Sequence, residues 1–173
     1  MLLRIIFVLY ISTISLVFAH DTKKKKSLKS HEHGVGVLKI AQENNILFFQ
    51  FEMPGNDIVG FEYEADKEED KIKVKNSLTI LSDYKNMVVP SNNGECENIE
   101  SDARIIIEGN HSEFVSEYRF NCKKVSNLKR IYIKYFNNFE LTKKLNIKIL
   151  GINKKAAYVI ERNKKIINVK EHF

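Results

Sequence analysis

The chain has 173 residues, 43% of them hydrophobic, and a net charge of +6. That is the size of one ordinary domain with enough apolar material to bury a core. Twenty-eight basic residues are scattered among twenty-two acidic ones, which speaks against a dedicated nucleic-acid or anionic-membrane surface.

The first segment, "MLLRIIFVLYISTISLVFAHD", carries one positive charge, Arg4, then an apolar run ending in the small residues of "VFA". This is the pattern of a secretory signal peptide over residues 1–19, cut after Ala19, so that the mature chain begins at His20. The apolar run, about fourteen residues, is shorter than the roughly 20 a membrane-crossing helix needs. The expectation is a soluble exported protein with no stable membrane insertion after cleavage. Residues 20–30, including the run Lys23 to Lys26, have almost nothing to bury and read as a flexible, solvated leader. A single domain is expected over 31–173.

"GVGVLKIAQENNILFFQFEM" predicts a hairpin turning at Glu43, Asn44 and Asn45, with Leu47, Phe49, Phe51 and Met53 on one face. Pro54 and Gly55 break it. Asp66 and Glu69 have capping-box spacing, and Val74, Leu78 and Leu81 follow at helical intervals, predicting the main helix over about 66–84. Strands are expected near 103–108, 113–122, 129–136, 145–152 and 156–161. In the second of these, Phe114, Tyr118, Phe120 and Cys122 alternate with Glu113, Glu117 and Arg119. Tyr132 and Phe136 of "LKRIYIKYF" read as sheet residues rather than as a base-stacking platform. Many strands and one helix predict a β-rich α+β fold of sandwich-like antiparallel sheets.

Cys96 and Cys122 are the only cysteines. In an exported chain an isolated pair forms a disulfide, here closing a loop of about 27 residues worth roughly 3.5 kcal/mol by chain entropy.

No nucleophile elbow, zinc-protease helix, phosphate loop or dinucleotide fingerprint is present, so catalysis is not expected. The histidines carry more information. In "SHEHGVG", His31 and His33 point to one side of an extended chain, about 7 Å apart, from where both imidazoles can reach one ion. A lone H-x-H fits two exposed surface histidines equally well. His111, on the polar face of the strand that carries Glu113 and Glu117, supplies a third imidazole.

Taken together and in order, "HEHG" at 31–34, "DIVGFEYEADKEED" at 57–70, Cys96 after the helix, "HSEFVSEYRFNC" at 111–122 and "LKRIYIKYFNNFE" at 128–140 resemble the ZrgA family of bacterial zinc uptake proteins. The resemblance covers nearly the whole mature chain. It implies a periplasmic protein, not an enzyme, that binds Zn²⁺ and assists its import beside an inner-membrane zinc transporter. It also implies His31, His33 and His111 as zinc ligands, with Glu62, Glu113 or water completing the set. The chain lacks the histidine-rich tract that many members carry before the strand at His111. Tyr63 stands where a histidine is common, and Glu140 where proline is usual. These departures imply few zinc ions and weaker binding. They also keep open an envelope structural or protein-interaction module that has lost most metal ligands.

Overall fold

A computed structural model describes residues 32–173. The expected signal segment, the leader and His31 lie outside the described residues.

The hairpin forms where period-two alternation predicts it. Strand β1 (Val35–Glu43) turns at Asn44, in the left-handed region at φ 52°, into β2 (Ile46–Pro54). Leu47, Phe49, Phe51 and Met53 are all buried, on the face that meets the core. The break at Pro54 is followed by a single helical turn, α1 (Gly55–Val59), and then by the main helix, α2 (Glu68–Ser82). The expected capping box does not form. The residue preceding the helix is Lys67, which makes no side-chain cap, while Glu68, Glu69 and Asp70 place negative charge in the first turn. Asp70 is instead buried and bonded by Tyr63 Oη and Lys73 Nζ.

Beyond α2 come β3 (Val88–Pro90), β4 (Cys96–Glu108), β5 (His111–Cys122), β6 (Arg130–Ile133), β7 (Lys144–Leu150), β8 (Lys155–Glu161) and β9 (Ile166–Asn168). They build two sheets, one in the order β4-β5-β2-β1-β7-β8 and a smaller one in the order β3-β6-β9. The fold is thus the β-rich, sandwich-like α+β arrangement expected, with one main helix. Its pairs are antiparallel except β1 with β7, which runs parallel. Among the described residues no helix is long and apolar enough to cross a membrane.

Three expectations shift for physical reasons. Strand β4 starts at Cys96 rather than near 103, because pairing with β5 carries even the polar stretch Glu97–Asp102 into the sheet. The strand expected over 129–136 stops at Ile133, and Tyr135–Asn137 form a tight helical turn. Phe136 is therefore not a sheet residue, although its ring and that of Tyr135 remain buried. Strands β3 and β9 hold three residues each, too few for any periodicity to register.

One core joins both sheets and the helix. Phe49 meets Phe120 edge-on at 5.4 Å, Phe51 lies 5.7 Å from Tyr135, and the Tyr118 hydroxyl donates to the Leu81 carbonyl, fixing α2 to β5.

The C-terminal residues tuck back onto this core, with Val169, His172 and Phe173 buried. The His172 carbonyl accepts from the Asn153 and Lys154 amides, and it approaches Gly151 so closely that a Cβ there would lie 2.0 Å from it. Burial, reinforced by Lys154 and opposed by Glu171, pushes the His172 imidazole below its ordinary 6.5. The unfolded chain therefore takes up a proton before the native one does. Stability is full above pH 6.5 and falls as pH drops below it, toward the lowered native value. Urea midpoints taken at pH 7.5 and at pH 5.5 should show a decline in the wild type that is smaller in His172→Gln. Equal declines would assign the acid sensitivity to other groups.

Candidate metal-collecting site

The site is built from three chain segments that meet at one end of the large sheet. The first is the turn entering β1. Gly34, at φ +82°, lets the chain bend sharply after His33, and its backbone is gripped on both sides. Its N–H donates to Asp57 Oδ1 at 2.8 Å, and its carbonyl accepts from the Lys143 and Lys144 amides at the start of β7. Asp57 is 1% exposed, and its second oxygen accepts from the Thr142 hydroxyl at 3.1 Å. Lys144 also reaches Glu32 at 3.4 Å.

The second segment is α1 and the loop after it. Gly55 passes so close to β5 that a Cβ would lie 2.0 Å from Ser112 Oγ, so only glycine lets the loop cross there. Gly60, at φ +86°, ends α1 and sends the chain back over the sheet. Phe61 and Tyr63 stack at 4.6 Å, Lys73 lies over the Phe61 ring, and the Tyr63 hydroxyl donates to Asp70 at 3.0 Å. That bond pushes the Tyr63 hydroxyl above its ordinary 10.0. These contacts fasten the loop to α2 on both sides of Glu62. Tyr63 acts here as part of that fastening.

The third segment is the first residue of β5, His111, which follows the turn at Gly109 and lies opposite Glu108.

Glu62 joins the other two segments. One carboxylate oxygen lies 3.0 Å from His33 Nε2 and the other 2.9 Å from His111 Nδ1. The carboxylate is mostly covered, at 14% exposure, whereas the two rings are 60% and 68% exposed. A neutral imidazole has one N–H. Donating it to Glu62 leaves His33 Nδ1 and His111 Nε2 as lone-pair donors on rings open to solvent.

Of the residues singled out from sequence, then, His33, Glu62 and His111 are brought together, across 29 and 49 positions of chain. Glu113 lies two residues further along β5 on the same face as His111, opposite Ile106 and Pro54, and is half-buried. His31 lies outside the described residues. Cys96 and Cys122 pair in a disulfide at the far end of β4 and β5. Asp57 is the residue whose part the sequence conceals, since nothing marks it off from neighbouring acids until its burial against Gly34 and Thr142 is seen.

Among the described residues, no three or more His, Cys, Asp or Glu side chains stand in an arrangement ready to hold a metal ion. The trio meets through hydrogen bonds instead. Its chemistry of two imidazoles and one carboxylate is a donor set that zinc accepts.

No curated protein matches the chain. The family model described as "ZrgA family zinc uptake protein" matches residues 30–169. With that match spanning nearly all of the described fold, the chain belongs to the ZrgA family of zinc uptake proteins and has its role in zinc uptake.

Proposed function

We propose that the protein is exported to the periplasm, binds Zn²⁺ there through His33 and His111, and delivers it toward an inner-membrane zinc transporter. It acts by binding and not by catalysis. The observation that carries this reading is the Glu62 carboxylate bonded to both imidazoles. A carboxylate behind a zinc-binding histidine fixes the ring's tautomer and orientation and raises its basicity, and such outer partners typically contribute 10–100-fold in metal affinity. Glu62 does this for two rings at once. His31, two residues from His33, and water supply further donors. The open rings and the small donor set favour an ion that is picked up and passed on over one locked in a closed tetrahedron.

Calorimetric titration of the exported chain with zinc alone is the test. The wild type should take up zinc, and the double change His33→Ala with His111→Ala should remove most of the affinity. Glu62→Ala should lower it roughly 10–100-fold while leaving both rings present. Protons compete with metal for the same imidazole nitrogens, so affinity falls as pH drops. Equal heats from wild type and double variant would reject the site and leave an envelope interaction module, stripped of most ligands, as the better reading.

A further inference from the structure

We propose that β4 pairs, antiparallel and about a two-fold axis, with β4 of a second copy of this chain, joining two six-stranded sheets edge to edge. Among the described residues β4 is the outermost strand on its side of the large sheet, and at 13 residues it is the longest. An edge strand offers a row of backbone donors and acceptors, and monomeric folds blunt such edges with charged side chains, lysine above all, with proline, bulges or short length. Strand β4 contains neither lysine nor proline, and its charges, Glu97, Glu100, Asp102, Arg104 and Glu108, are of both signs. Its register irregularity falls at Asn98/Glu100, near its first end, and Glu100–Glu108 run in unbroken register beyond it. Ile106 and Ile107 are 37% and 40% exposed on this edge.

Charge selects the occupant. A two-fold axis normal to a sheet keeps each face on its own side, so residues paired across it must share a face, and one residue must lie opposite its own copy. Centred on Asp102, or on Arg104, like charges meet at the axis. Centred on Ala103, Asp102 of each copy faces Arg104 of the other, giving two opposite-charge pairs, with the small alanine where the chains close in. Both side chains lie on the face away from the core, in register with Glu117 and Val115 of β5. Arg104 already donates to Asp102 once and to Glu117 twice. A guanidinium has five N–H donors, so it can take the second copy's Asp102 without releasing Glu117. The Asp102 side chain is 57% exposed. On the core-facing side, an apolar groove of about 520 Å³ opens along the same strand between β4 and α2, lined by Val74, Leu78, Ala103, Ile105 and Ile107. The second copy's strand covers it.

Sedimentation of the chain as cells export it should give the mass of two chains at micromolar concentration. Asp102→Arg alone, and Arg104→Asp alone, each place like charges across the axis twice and should raise the dissociation constant about tenfold or more. Mixing these two variants should restore dimers, because their reversed side chains are complementary across the axis. Circular dichroism checks that each is folded. Should Arg104→Asp unfold through its loss of Glu117, Asp102→Arg on its exposed site carries the test alone. A wild type that is monomeric throughout overturns the proposal, as does a dimer that Asp102→Arg leaves intact.

Discussion

Removing the Cys96–Cys122 bridge, by reduction or by changing both residues to alanine, lowers the unfolding free energy by about 3.5 kcal/mol. The two half-cystines lie directly opposite each other, at the first residue of β4 and the last of β5. Without the bridge the unfolded chain regains the freedom of a loop of about 27 residues, and that entropy is the main term. The native strand also suffers. The first half of β4 is largely polar and exposed, with a register shift at Asn98/Glu100, so the bridge holds a stretch that apolar burial does not. A loss of this size is a large share of an ordinary stability of about 5–15 kcal/mol. The urea midpoint should fall on reduction and the slope should rise, because the uncrosslinked unfolded chain exposes more surface, and amide exchange should quicken most over residues 96–102. An unchanged midpoint would show that β4 is held by its ladder alone.

How much could be read beforehand follows from the range of each interaction. Strands β1, β2 and β5 were legible because one of their faces is core and the other is not, which leaves a period of two in the sequence. The polar half of β4 carries no such signal, being held by its partner strand and a disulfide. The capping box does not form because the helix is entered at Lys67, one residue beyond Asp66, and the bonded acid of the first turn is Asp70, held by Tyr63 and Lys73. The parallel pairing of β1 with β7 is non-local, joining Val35 to Lys144.

The site divides along the same line. His33 and His111 could be nominated by residue type, and Glu62 by family resemblance. That Glu62 binds both rings depends on a loop folded back between Gly55 and α2. That parallel pairing also brings Thr142 and the Lys143 amide beside Gly34. Asp57 thereby becomes the pin of the whole corner.

Asp57→Ala should therefore cost about 1–3 kcal/mol of stability, because it strands one buried donor, the Gly34 N–H, while the Thr142 hydroxyl loses one of its two partners and keeps the Tyr135 hydroxyl. The same change frees the turn that carries His33. Gly34 holds φ +82° against Asp57, and once that bond is gone the neighbouring ring is no longer delivered to Glu62. Zinc affinity should then fall about tenfold, within the range expected when the support behind a ligand is lost. Thr142→Val separates the two effects. It removes the other bond to Asp57 together with the bond to the Tyr135 hydroxyl, and it leaves Gly34 held, so it should lower the unfolding midpoint while zinc heats stay close to wild type. Asp57→Asn, which keeps an acceptor for Gly34, should retain most of the affinity. If Asp57→Ala is destabilised yet binds zinc as the wild type does, His33 is placed by the β1–β7 pairing alone, and Asp57 serves the fold without serving the site.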